Sequence, residues 1–587
     1  MKRIMDEACE EANMEWEQLT KEELIEYLES LKEEQSGKLG LMWDREKVPE
    51  KIVEECDEFV PVLKENLEKS IISDKSIENI FIEGDNFHSL SVLNYTHGES
   101  VDVIYIDPPY NTGNKDFMYN DKFVDGDDGY KHSKWLNFME KRLKLAKNLL
   151  KDNGIIFISI DDNEYSQLKL LCDRIFGSSR FIANFIRKTS YGEKTAKPKV
   201  NRHHDYCLCY CKKYEAIIDK EVLGGEEKEF RDYSNPDNDP RGEWKKDSYL
   251  IKIDTGRYGY ARYPIYNPYL DITHYPPVYY NEEDRKQWHY TEDKFKEMER
   301  NGQVVYYKTK EEMGNNKYSF YIKKYRDSIS DLRSNVSTTL FDTNEYVNGN
   351  GSKDLTNVIG KGKSIIGMYP KPVKFIKQLL KFSTCYNKNA LILDFFAGSA
   401  TTAQAVLELN NEDGGNRRFI ICTNNESNIC EDFAYPRCKT ILTGKRNDGS
   451  EYSKSVKANL RYFNTDFVKN DGTRDQLYFD LTEKCIPMLC AKESTHFLVE
   501  KNDEYVIYKN QEGNKYTCVY FDMFGSNYDE FISKIEKIPE YKFLYIFSLN
   551  DYVEQNELMN VENYELESIP SKILELYKKV AQVKREE

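Results

Sequence analysis

Two apolar runs in this chain end alike. VDVIYI at 101–106 stops on Asp107, and LIL at 391–393 stops on Asp394. Pro108, Pro109 and Tyr110 follow the first; Phe395, Phe396, Ala397, Gly398 and Ser399 follow the second, and a helical pattern begins. Around both, strand-like and helix-like stretches alternate. IENIFIEGDNFHSLSVL reads as strand, turn and helix. YKHSKWLNFMEKRLKLAKNLLKDNG reads as an amphipathic helix closed by Gly154, IIFISI as a strand and YSQLKLLCDRIFG as a helix. KPVKFIKQLLKFST and RRFIICTNNE continue the alternation as helix and strand. Such alternation calls for a parallel sheet covered by helices on both faces. In open sheets of this kind, ligands lie beyond the carboxyl ends of the strands. The fold class is α/β, and the two acid-ended turns mark the candidate site.

Each turn has its own chemistry. Prolines 108 and 109 fix φ and carry no N–H, so they stiffen the turn and leave carbonyls without local partners. A carbonyl beside the Asp107 carboxylate offers acceptors aimed at one spot, which suits an –NH₂ group. Tyr110 adds a flat ring able to stack on a base. In the second turn Gly398 lets the backbone approach a ligand closely. The acid before it disfavours pyrophosphate and favours a cationic group. The run is neither GxGxxG nor a Walker sequence, which weakens dinucleotide and ATP readings.

A chain of 587 residues is too long for one hydrophobic core, and two to four domains are expected. Residues 1–70 read as helices, with Thr20 and Glu23 spaced as a capping box. The stretch 186–360, rich in Tyr, Asn, Asp and Gly, breaks the alternation and reads as an insert. From 468 to 587, EYVIYKN, KYTCVYFD and FLYIFSLND read as strands and PSKILELYKKVAQ as a helix, a small α/β appendix. No run of eighteen apolar residues suggests a membrane span, and MKRIMDEACEEANMEWEQL lacks the apolar core of a secretory signal. None of the thirteen cysteines forms CxxC, which argues against a zinc framework and for reduced thiols in the cytoplasm. Cys207, Cys209 and Cys211 alternate at strand period and read as packing, with His203 and His204 as local hydrogen-bonders. The net charge of −17 is uneven. Residues 1–70 hold 10 Lys/Arg against 21 Asp/Glu, whereas residues 186–214 hold 8 against 2. A local basic face can bind phosphate on an acidic molecule.

DPPYNTG together with DFFAGSATT resembles the amino-methyltransferases of DNA that use S-adenosylmethionine. IEGDN (82–86), WLNFMEKRL (135–143), IIFISIDDNE (155–164), YPKPVKFIKQLL (369–380), LELNNEDGGNRRFI (407–420) and ANLRYFNTDFV (458–468) extend the resemblance over most of residues 38–468. DPPY precedes the glycine turn, the permuted order of the β group of these enzymes. The layout, with GLMWDREKVPE near the start, is similar to the modification (Mod) subunit of type III restriction–modification systems.

The resemblance implies a Rossmann-like, seven-stranded, circularly permuted methyltransferase fold. It divides the chain into an N-terminal helical segment (1–70), a catalytic domain (71–185 and 361–467), a target-recognition domain (186–360) and a C-terminal domain (468–587) for dimer or partner contacts. The strand before EGDN would join VDVIYI and IIFISI, while LILDF and FIICT would close the cofactor half. Asp107, Pro108, Pro109 and Tyr110 would act on N6 of a flipped adenine. Cofactor contacts would come from Asp107, Asp394, Phe395, Phe396, Ala397, Gly398, Ser399 and Thr401, with Asp85 and Asn86 at the adenine ring. Lys371, Pro372 and Val373 would lie on the methionine side, and Asn425 or Glu426 would take the ribose hydroxyls. Arg187, Lys188, Lys194, Lys197, Lys199 and Arg202 are candidates for phosphate contact. The implied partners are double-stranded DNA, a second copy in a homodimer and an ATP-dependent restriction (Res) subunit; no metal and no membrane are implied. The place is the bacterial cytoplasm, at the nucleoid. Alternatives left open are an orphan or other phage-defence adenine enzyme, cytosine-N4 chemistry and an inactive DNA-binding module. Asp107 favours adenine, since the N4 enzymes more often carry Ser there.

Overall fold

The computed structural model describes Trp43 and residues 49–569, apart from 57–58, 73–76, 115, 121, 193–199, 220–221, 228–231, 248–249, 254–260, 277–285, 329–332, 361–368, 470–473, 523–526 and 548–557. The helices expected before residue 43 and the helix PSKILELYKKVAQ lie outside the described residues.

Nine strands form one mixed sheet: β1 (Phe59–Glu65), β2 (Glu78–Glu83), β3 (Val101–Ile106), β4 (Leu150–Ile160), β5 (Phe181–Lys188), β6 (His204–Cys211), β7 (Leu391–Asp394), β8 (Arg418–Thr423) and β9 (Asn459–Lys469). Their order across the sheet is β1-β9-β2-β8-β7-β3-β4-β6-β5. Pairing is parallel from β9 to β4 and antiparallel at both edges, where β1 meets β9 and β6 lies between β4 and β5.

Side chains alternate between the two faces. Leu393, Ile104, Ile106, Ile156, Ile158 and Ile420 enter one core with helices α1 (Asn86–Thr96), α2 (Lys131–Leu149) and α3 (Tyr165–Phe176). Ile392, Val103, Tyr105, Phe157 and Ile421 enter the other, under α4 (Asn348–Ile359), α5 (Val373–Ser383), α6 (Thr401–Asp413) and α7 (Tyr435–Thr443). Burial on both faces explains why these strands read as continuous apolar runs. Each fully buried side chain of this size contributes about 1.5–3 kcal/mol.

Four expectations change. The sheet has nine strands, not seven, because β1 and β9 extend it. β1 arises inside the stretch expected to be helical. Its Val60, Val62 and Leu63 are buried, and Pro61 is tolerated because β1 is an edge strand. β2, the strand before EGDN, does not join β3 and β4; it pairs with β8 and β9, where its apolar residues continue the parallel sheet. Gly154 does not close α2. The helix gives way to extended backbone at Leu150, and Gly154 lies inside β4, where a Cβ would fall 2.9 Å from the Leu150 side chain and the Lys151 carbonyl.

Residues 225–335 form a compact unit of their own, narrower than the 186–360 insert. The basic stretch around CLCYC is sheet instead, since β5 and β6 belong to the nine strands. Cys207, Cys209 and Cys211 are buried, and burial raises all three thiols. The compact unit holds a three-stranded antiparallel sheet (304–306, 320–325, 244–246), two strand pairs and a helix at Glu292–Arg300, around Tyr263, Trp288, Phe295 and Phe320. After β9, α8 (Arg474–Glu493) packs Leu481, Cys485 and Leu489 with Val60, Val62 and Val468. A five-stranded sheet follows, with strands 497–501 and 564–569 added to the three expected.

Candidate active site

β7 and β3 are parallel neighbours, with Ile392 opposite Val103 and Leu393 opposite Ile104. The chain crosses from β7 to β8 on one side and from β3 to β4 on the other. The two acid-ended turns therefore share the point where strand order reverses, the usual ligand crevice of such sheets.

In the first turn, Asp107 receives the Lys371 ammonium on both oxygens at 2.6 Å. Lys371 is buried, and its Nζ lies 4.9 Å from the Tyr110 ring centroid. Trp135, fully buried on α2, donates its indole N–H to the Pro109 carbonyl at 2.8 Å and pins the turn. The Tyr110 hydroxyl donates to Asp205 at 3.3 Å. Burial, then the Asp107 and Asp205 carboxylates, hold this phenol well above its ordinary value. Asn111, at φ +56, donates its amide to Glu164 and to the Lys131 carbonyl. Glu164 has no exposed surface and also meets His132 Nδ1 at 2.7 Å. Burial pushes its carboxyl up to about 8.

In the second turn, Asp394 accepts from the Phe396 N–H at 3.0 Å and from the Thr402 hydroxyl at 2.5 Å. Burial, with Asp107 nearby, pushes its carboxyl up to about 7. Gly398 and Ala400 adopt left-handed backbone at φ +50 and +61, so the chain doubles back before α6 begins. A buried arginine underlies this turn: Arg437 of α7 donates to the Ser399 carbonyl and hydroxyl and to the Thr401 hydroxyl, at 2.8–3.2 Å. Arg142 of α2, also fully buried, holds the EGDN turn. It donates to Asn86 Oδ1 at 2.5 Å and pairs with Glu50 at 2.8 Å. Asn86 in turn donates to the Phe395 carbonyl at 3.1 Å, and Asp85 caps α1 through the Phe87 N–H at 2.7 Å.

The structure sorts the remaining candidates. Pro372 is the N-cap of α5, and the Val373 N–H is taken by Asp354 of α4 at 3.0 Å. Asn425 accepts from the Glu431 N–H at 3.2 Å, and Glu426 is exposed beyond β8. Arg187 cannot serve as a surface phosphate contact. It is buried on β5, forked onto both oxygens of Asp205, and also holds the Tyr346 carbonyl and Asn348 at 2.8 and 2.9 Å. It thereby orients the carboxylate that holds Tyr110. Lys188 is half-buried and Arg202 exposed near Asp162; Lys194, Lys197 and Lys199 lie outside the described residues. Sequence reasoning passed over Arg142, Glu164, Thr402 and Arg437. A signal existed for the arginines: each sits at helical spacing among buried apolar residues (Met139 and Ala146; Ala434 and Ile441), where a charge needs a structural partner.

Adjoining strand ends thus present Asp107, paired with Lys371, and Asp394, whose carboxyl burial raises, beside a ring fixed by its hydroxyl. Among the described residues no His, Cys, Asp or Glu group is arranged to hold a metal, and no helix is long and apolar enough to cross a membrane.

The DNA methylase family model matches residues 101–434. The chain is 32% identical over 389 residues to the Mod subunit of the type III restriction-modification enzyme StyLTI of Salmonella typhimurium, covering 62% of this chain and 55% of that one. It is 32% identical over 399 residues to the EcoPI Mod subunit of Escherichia phage P1, covering 60% and 58%. A third match, 32% over 385 residues, is the type II methyltransferase M.KpnI of Klebsiella pneumoniae, covering 62% of this chain and 84% of that one. The chain thus spans little more than half the length of the two Mod subunits.

Proposed function

This chain belongs to the DNA methylase family, and from that premise we propose that it methylates N6 of an adenine turned out of duplex DNA. The observation that carries the reading is the shared crevice of the Asp107–Tyr110 and Asp394–Ser399 turns. When bound, S-adenosylmethionine supplies an electrophilic methyl group. The donor set fits that cation: Asp394 is buried with only neutral donors on its oxygens and is pushed up to about 7, so a positive group beside it would be stabilised. The turn at 395–401 would surround the methionine part, with Asp85 and Asn86 near the adenine and Asn425 or Glu426 at the ribose.

Exocyclic amines are weak nucleophiles because the lone pair is delocalised into the ring. Asp107 and the Pro108 carbonyl would accept the two N6 hydrogens and favour a tetrahedral nitrogen as charge develops. Tyr110, its hydroxyl fixed by Asp205, would stack on the base and help offset an unstacking cost of a few kcal/mol. Methyl transfer then depends on in-line positioning.

We further propose a modification subunit of a type III system, on the strength of the two Mod relatives. That reading brings a permuted catalytic domain, a homodimer, an ATP-dependent restriction partner and work at the bacterial nucleoid. The unit at 225–335 would read the target sequence; its exposed Tyr266, Tyr269 and Tyr275 suit base contacts. The test is single-molecule sequencing of DNA from cells expressing the chain. N6-methyladenine at one short motif is expected, and Asp107→Ala should remove it while cofactor binding persists. N4-methylcytosine would overturn the choice of base, and unmodified DNA the reading itself.

A further inference from the structure

Lys371 occupies the place that the proposed reaction reserves for its substrate. Its ammonium lies 2.6 Å from both Asp107 oxygens and 4.9 Å from the Tyr110 centroid. Those are the carboxylate and the ring assigned above to the target amino group and its base. A base stacked on that ring and bonded to that carboxylate would need the space the ammonium fills, so Lys371 must leave first.

The backbone beneath it is fixed. A Cβ on Gly351 of α4 would fall 1.9 Å from the Pro370 carbonyl oxygen, so α4 lies directly against the 370–371 segment. Pro372 sets the start of α5, and Asp354 holds the Val373 N–H at 3.0 Å. The movable part is the four-carbon stem of Lys371. Lys371 is buried while the Asp107 side chain is 26% exposed, so withdrawing the ammonium would leave a buried cation unpaired, which is strongly unfavourable unless another anion takes its place. The ammonium therefore leaves Asp107 only when a second anion is within its reach. On the reading above, the α-carboxylate of the bound cofactor is that anion.

We propose that Lys371 is an internal stand-in for the target amino group, closing the Asp107–Tyr110 pocket until the cofactor carboxylate draws it away, so that the base enters a loaded site. This rests on the assignment of the crevice to S-adenosylmethionine. It couples the two ligands through one side chain: the cofactor must compete with Asp107 for the ammonium.

The experiment is calorimetric titration of S-adenosylmethionine into the wild type, Asp107→Asn, Lys371→Met and the double variant, without DNA. Asp107→Asn releases the ammonium and should tighten binding about tenfold, within the usual span of coupling between sites. In the Lys371→Met background the same substitution only removes a negative charge near a cationic ligand, and binding should weaken. Weakening in both backgrounds would overturn the proposal. Thermal melts establish folding, with Lys371→Gln as a second variant if Lys371→Met does not fold. A folded wild type that fails to bind S-adenosylmethionine would refute the crevice assignment and the proposal together, whereas binding without the tightening refutes the proposal alone.

Discussion

Asp394 is buried at the end of β7 with a backbone N–H and a hydroxyl on its oxygens, and burial with a neighbouring carboxylate pushes it up to about 7. Below that value it carries a proton and offers a cation nothing. Affinity for S-adenosylmethionine should therefore rise with pH up to about 7 and then level, by at most tenfold per pH unit. Asp394→Asn should weaken binding and flatten this dependence; calorimetry between pH 5.5 and 7.5 reads both, and a retained slope in the variant would assign the titration to another group. Asp107 is the opposite case, an acid whose cationic partner is already in place. The sequence displayed both aspartates and the strands they end, but not the difference between them. That difference comes from the burial of Asp394, beside a neighbouring carboxylate, and from Lys371, which reaches Asp107 across 264 residues.

Elements do more here than carry side chains. α4 has no catalytic residue, yet it sets the height of the KPV segment through Gly351 and caps α5 through Asp354. Gly351→Ala places a methyl group against the Pro370 carbonyl and should cost about 1–3 kcal/mol, as overpacking does. A lowered unfolding midpoint in urea, with altered cofactor affinity as Lys371 shifts, is the expected result; unchanged stability would mean that α4 yields easily. α2 and α7 place Arg142 and Arg437 beneath the EGDN and AGSAT turns in the same way. Such contacts leave little trace in a pattern of apolar spacing, because the pattern shows which face is buried, not which turn lies across it. The edge strand β1 shows the same gap: its pairing with β9 joins residues some four hundred positions apart.

At the scale of the molecule, the unit 225–335 interrupts in sequence a larger unit whose nine-stranded sheet draws strands from both flanking segments. Replacing 225–335 with the corresponding unit of a relative should change the DNA sequence methylated and leave cofactor affinity as it was. Sequencing of modified DNA and calorimetry check the two halves, and an unchanged motif would move target reading elsewhere. The boundaries matter to the design, since 186–224 and 336–360 belong to the larger unit and a swap at 186 would remove Arg187 and β6 from the sheet.

The sequence by itself determined the α/β class, the two acid-ended turns and the strands that carry them, because burial on both faces and sharp turns are local demands that residue types meet directly. Tertiary structure alone decided that β2 borders β8, that Arg187 is a buried support for Asp205 and Tyr110, and that Lys371 rests on Asp107. Each of these is a pairing across long sequence separation, where charges and strands find partners that no local pattern specifies.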